Sequence, residues 1–592
     1  MYAKDKPRWL ALNWVKNYIV EGFCPLSHGE KEWVRANWRL SCVPEFPVTG
    51  LHNKAVKHYL IELYAATTDQ FKAEMAAEIA GGRLLHLNLD LWVDKFSSLK
   101  YIGIRLFYVD RNWQLKSRLL AVRQFNPTTE MIQSTRLSDL LQEYLKSVLE
   151  EYGLDVSMIF SATSDSGSDV KRLCDVLLPG LWEWCVCHML NCALVEAIGT
   201  HVDPQKSSNP AARKVIMVVK KVVEHIHKSP KAKAFFGAEQ VRHYAQCSHR
   251  KLVNAAPQRW CGVSNVLDAV IVNRAAIDGV YGKEGKDNPM AAYMDDIQEL
   301  YSLIKPVAEL IIVCQQTRVP TGQAAVLGLA ALRLTTFDVN TPLDIRTPAR
   351  KLAQGGIAGA GGGEQKASSA PKQHAQLTTV ARQARAHLNH AVDWRWYKKR
   401  YHSQNDEKTD FLFDMQMALH PTTAGLEYVE RIASTPERGE AVKTIITDKV
   451  IALAVELAQK ETDRPGGGTG GGGGDGAGDE EGGPAAKRAR PSPGANHPMF
   501  GSPGNKEEAA ATAKFASLGL FKKGGGASAG PSLEEIARAE LKTLRAIGAG
   551  TLTAELSCEN VLKWWKKWVS SYPLLARAAR VVFGAPASAA VL

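Results

Sequence analysis

Two carboxylates, Asp90 and Asp165, pose the chemical question in this chain. Asp90 stands in a run where Leu85, Leu87, Leu89 and Leu91 alternate with His86, Asn88, Asp90 and Trp92. That is the period of a half-buried strand, so Asp90 belongs to its polar face. Asp165 closes a second strand-like run over 156–163 and opens the turn Ser164-Asp165-Ser166-Gly167. If the fold sets these strand ends side by side, the two acids repel each other and favour a bound divalent cation. In phosphoryl transfer, two such ions about 3.5–4 Å apart clamp the attacking and leaving oxygens. Taken singly, Asp90 reads equally well as a surface strand residue and Asp165 as a helix N-cap.

The flanking elements supply a reason for the acids to meet. Residues 101–109 are rich in β-branched and aromatic types, and 115–125 follow after the turn-like Asp110-Arg111-Asn112. Leu137, Leu140, Leu141, Tyr144, Leu145, Val148, Leu149 and Tyr152 repeat at helical spacing, with Gly153 as a stop. The order is strand, strand, strand, helix, strand, helix, which predicts an α/β RNase H-like core: a mixed sheet flanked by helices. In it, the helical crossover lays the fourth strand parallel to one already present.

Around that core the composition shifts mark out the chain. Residues 1–80 read as an N-terminal helical region, with 54–65 and 71–79 the clearest amphipathic stretches, and 81–200 as the core. A large all-helical insertion covers 201–460, within which the Gly/Ala-rich 354–372 reads as a loop. Residues 461–532, dominated by Gly, Ala and Pro, read as a long disordered Gly-rich tether, and 533–592 as a final helical piece. The 592 residues carry a formal net charge of +12, which makes a polyanionic partner plausible. The ten cysteines form no spaced framework, which suits a reducing compartment. No run approaches the roughly 18 apolar residues of a membrane span, so no membrane partner is expected.

Five blocks, in order, resemble the hAT (hobo–Activator–Tam3) transposases. Leu89-Asp90-Leu91-Trp92 resembles their Asp-x-Trp block, and Ser164-Asp165-Ser166-Gly167 their second acid block. Cys185-x-x-His188, followed by Met189-Leu190-Asn191, is similar to the Cys-x-x-His-x-Leu-Asn segment that comes next. Arg259-Trp260 matches the pair that opens the inserted helical domain. Trp564-Trp565 and Pro573-Leu574-Leu575-Ala576 resemble the C-terminal dimerisation segment. The resemblance implies that Asp90 and Asp165 are the first two metal-binding acids, with Mg or Mn as the cofactor if the site is active. It implies DNA contact at Arg259 and Trp260, the latter stacking on a flipped base. It also implies homodimerisation or higher self-association through Trp564, Trp565, Trp568, Tyr572, Leu574 and Leu575.

Two departures qualify this. The family's BED zinc finger has no counterpart, because only Cys24 and Cys42 precede Cys174. In the family a Pro-Ala-Ser-Ser-Ala run leads into the third acid, a Glu. Here Pro586-Ala587-Ser588-Ala589-Ala590 leads to Val591-Leu592, while Glu555 and Glu559 precede the Trp-Trp helix. The expectation is a transposase-derived protein truncated before its third acid. It would self-associate, bind DNA weakly through its basic surface and cut no strands. The alternatives are a working metal-dependent transposase or nuclease with that acid supplied elsewhere, and a non-functional remnant of a mobile element.

Three further groups carry expectations. Cys185 and His188 read as structural, since Cys185 and Cys187 cannot both chelate comfortably beside His188. Lys487, Arg488 and Arg490 lie in the Gly-rich tether with the composition of a nuclear localisation signal, which places the protein in the nucleus. The run 395–400, Arg-Trp-Tyr-Lys-Lys-Arg, suits a phosphate backbone and equally a solvated helix face.

Overall fold

The computed structural model describes residues 6–21, 26, 31, 34, 52–79, 85–94, 98–201, 203–245, 247, 249–254, 262–348, 368–403, 409–462, 531–548 and 561–589. The chain divides into two compact units, residues 1–83 with 127–158 and residues 84–126 with 159–592. The first unit is helical. Its longest helix, Asn53–Ile79, joins into one element the two stretches that the periodicity separates. Phe71 of that helix meets Tyr152 edge to face at 5.7 Å, and the Tyr64 and Tyr152 hydroxyls are 3.0 Å apart.

The second unit holds a five-stranded mixed sheet in the order β3-β2-β1-β4-β5. The strands are β1 (Leu85–Val93), β2 (Lys100–Val109), β3 (Leu115–Gln124), β4 (Ile159–Ser164) and β5 (Leu181–Trp184). β1, β2 and β3 form the antiparallel meander, while β4 runs parallel to β1 and β5 parallel to β4. Leu85, Leu87 and Leu89 are buried, as the alternation in β1 requires. The sequence pattern does not register β5, which has four residues and two tryptophans. Its outer edge is managed by a side chain: Asp410 accepts the Trp182 N–H at 2.8 Å.

Helices flank the sheet, and helix Val186–Ala197 shares one apolar core with the insertion and the C-terminal segment. The stretch read as a loop over 354–372 contains a strand, β7 (Ser368–Lys372), paired antiparallel with β6 (Leu343–Arg346). No helix among the described residues is long and apolar enough to cross a membrane. Nearly all of the expected tether lies outside the described residues.

Candidate acid site and the C-terminal strap

Leu89 of β1 pairs with Ser164 of β4, so Asp90 and Asp165 are the next residues along two adjacent parallel strands. Across β1 on the other side Asp90 faces Gly103, which has no side chain to crowd it. Burial pushes the Asp90 carboxyl up to about 6, and the charge of Asp165 adds to the rise. Asp165 is fixed by its own turn, its Oδ1 accepting the Gly167 N–H at 3.0 Å. Ser164 Oγ donates to the Asp165 carbonyl at 2.9 Å and accepts the Trp182 indole N–H at 2.9 Å. The His188 imidazole feels the same acid: burial lowers its pKa while the charge of Asp165 opposes the shift. Two carboxylates suit a hard divalent ion such as Mg or Mn, whose charge would offset the burial and repulsion that raise the Asp90 carboxyl. Among the described residues no group of three or more His, Cys, Asp or Glu is arranged to hold a metal ion.

The polar face of β1 is otherwise covered by residues 581–589, which run over it as a strap. His86 pairs with Ser161 across the strands, and Asn88 with Thr163. His86 Nε2 donates to the Val581 carbonyl at 2.7 Å, and its Nδ1 lies 2.6 Å from Ser161 Oγ. A carbonyl only accepts, so Nε2 carries the proton and the Ser161 hydroxyl donates to Nδ1. One step along the ladder, Asn88 donates to the Ser588 carbonyl at 2.6 Å and Thr163 to the Pro586 carbonyl at 3.0 Å. The next step is Asp90 and Asp165. Gly584 is required where the strap crosses His86, because a Cβ there would stand 2.5 Å from the ring.

Cys185 joins the strap to the following helix. Its thiol accepts the His188 N–H at 3.4 Å as the N-cap of helix Val186–Ala197, and also the Ala589 N–H at 3.1 Å. Cys187 donates to the Ile311 carbonyl at 3.5 Å. Both thiols are fully buried, and burial raises their pKa values well above normal, so both stay protonated.

The residues assigned to dimerisation are divided by the structure. Trp565, Tyr572, Leu574 and Leu575 are buried in the core of their own chain. Trp565 stacks on Trp113 at 6.1 Å and donates its indole N–H to the Leu419 carbonyl at 3.0 Å. Within the single chain, this part of the apolar stripe is used internally. Trp564 and Trp568 remain half-buried, beside the exposed Val569.

The same segment holds a titrating anchor. Glu540 on helix Leu533–Gly548 accepts the N–H groups of Leu574 and Leu575 at 3.2 and 2.9 Å, capping helix Pro573–Val582. Burial raises this carboxyl to about 7. The folded chain therefore binds more protons than the unfolded one above the ordinary Glu value, and stability falls as pH rises from about 4.5 to about 7. Glu540→Gln is expected to remove that slope when melting temperature is followed against pH. His86, buried neutral with its pKa lowered to about 4, acts in the opposite sense in both proteins and cancels in the difference. Parallel pH curves for the two proteins would refute the assignment.

Sequence reading also misplaced Arg400, Trp396 and Tyr397, which are neither solvated nor available to phosphate. Arg400 grips both oxygens of Glu183 on β5 at 2.8 and 3.0 Å and reaches Asp414 at 2.7 Å. Tyr401 and Tyr428 each donate to Asp414 at 2.6 Å, and the Leu412 N–H donates to Glu183 at 2.9 Å. This buried network ties the sheet edge to the insertion. Of the other expected residues, Arg259, Trp260, Lys487, Arg488, Arg490, Glu555 and Glu559 lie outside the described residues.

Residues 88–188 match the family model described as the ZBED1 RNase-like domain, and residues 550–592 match the hAT family C-terminal dimerisation region. The first match spans both acids and runs to His188, and the second contains the strap. No curated protein matches the chain. With the strand order of the sheet, the two matches support a hAT-family transposase-derived protein.

Proposed function

We propose that the chain acts by self-association and by contact with DNA in the nucleus, without cutting strands. The observation that carries the reading is the match of 550–592 to a dimerisation region. The outer side of helix Val561–Trp568 supports it, with Trp564 and Trp568 half-buried among exposed Lys563, Lys566, Lys567 and Val569. Tryptophan is enriched where interfaces concentrate their energy. The net charge of +12 supports a polyanionic partner, and the composition of residues 487–491 supports nuclear import.

Removing 533–592 would strip Trp565 and Leu575 from the core, so surface variants make the test. Trp568→Ser with Val569→Asp is expected to turn a wild-type dimer into a monomer in light scattering at micromolar concentration, with little change in melting temperature. A monomeric wild type overturns the reading. In the same preparations, supercoiled DNA is expected to stay uncut with Mg or Mn, since two carboxylates hold one ion and leave the second oxygen of the displacement unclamped. The acid pair favours a second reading, a metal-dependent nuclease; nicking that disappears in Asp90→Ala would establish it.

A further inference from the structure

On the edge strand β5, on the sheet face opposite the acid pair, lies a cationic ledge. Trp182 and Trp184 alternate along β5 and therefore share a face. Lys171 Nζ sits 5.0 Å from the centre of the Trp182 ring, and Lys399 Nζ 5.8 Å from that of Trp184. Trp182 and Trp184 pair with Ala162 and Ser164, so they share the face of Leu87 and Leu89. Three cations converge there. The ammonium of Lys399 is disfavoured first by burial, then by the charges of Lys171 and Arg395. Arg395 is satisfied by Glu196 at 2.8 Å. Lys171 reaches Asp175 only at 4.0 Å, with both ends largely in solvent, a geometry worth little. Lys399 makes no ion pair with any described carboxylate within 4.0 Å.

Folding has thus brought like charges together over aromatic rings, with Lys399 unmatched by any described carboxylate within 4.0 Å. An anion with several oxygens on one centre offsets both lysines at once. We infer that Lys171 and Lys399 seat a phosphodiester of a DNA strand at this edge of the sheet. This rests on the DNA-contact reading and adds to it which residues make the contact.

The full-length chain is titrated with a short labelled single-stranded DNA by fluorescence anisotropy over a range of salt. Each phosphate contact adds about 0.7 to the slope of log affinity against log salt. Lys171→Gln with Lys399→Gln is therefore expected to weaken binding and to lower the slope by about 0.7–1.4. Lys220→Gln with Lys233→Gln matches the charge change elsewhere and is expected to lower it less. Lys171→Arg with Lys399→Arg keeps the charge and is expected to keep the slope, which separates phosphate contact from packing on the tryptophans. If the wild type binds with salt dependence and the ledge variant behaves as the matched control does, the ledge is refuted and the DNA reading stands. If the wild type shows no salt-dependent binding, both fall.

Discussion

Trp565→Ala is expected to destabilise the folded chain by about 3–5 kcal/mol, the range for removing a fully buried large aromatic side chain. Trp565 is 0% exposed, stacks on Trp113 and donates its indole N–H to the Leu419 carbonyl. Trp113 itself sits at φ 61°, a left-handed conformation that costs a non-glycine residue about 1–2 kcal/mol. Asp110 holds that turn by accepting the Asn112 and Gln114 N–H groups. A strained turn aimed at one partner loses its compensation when the partner goes. The check is denaturant unfolding at several protein concentrations. The loss should not vary with concentration, since the contacts are intramolecular. A variant that unfolds like the wild type but no longer associates would return Trp565 to an interface.

Arg400→Met is expected to cost a comparable amount, about 3–5 kcal/mol, because it leaves two buried carboxylates facing each other without a cation. Glu183 and Asp414 are both almost fully buried, and the remaining donors to them are neutral. Adding Glu183→Gln to Arg400→Met is expected to recover part of the loss by removing one stranded charge. Unfolding midpoints of the single and double variants measure this, and a double variant worse than the sum of the singles would refute the network.

The alternation around Asp90 was legible because one face of β1 is apolar, and the meander and crossover were legible because each strand is long enough to show its period. β5 was not, since four residues show no period and its Glu183 is buried only by virtue of Arg400, 217 residues away. The Ala-Pro strand at 368–372 lacks β-forming residues and exists because Leu343–Arg346 pairs with it. The tryptophan stripe near the C-terminus shows the limit most clearly. Periodicity reveals that a helix has an apolar face but says nothing of what covers it. In this chain Trp113, the Leu419 carbonyl and the insertion cover most of it. The adjacency of Asp90 and Asp165 was legible from strand order, while their reading as metal-binding acids came from the family resemblance; the strap's contacts had no signal, because most are made by backbone groups.

The strap also fixes an order of events during synthesis. The contacts of His86 with Val581 and of Asn88 with Ser588 join residues 495 and 500 positions apart. At about 5–20 residues per second, the ribosome releases the polar face of β1 some 25–100 s before its cover exists. Through that interval a histidine, an asparagine and an aspartate stand on an uncovered sheet, and the insertion must fold around a core still missing Trp565 and Leu575. Such late closure invites chaperone engagement and leaves the nascent protein open to aggregation and proteolysis until residues 581–589 are made.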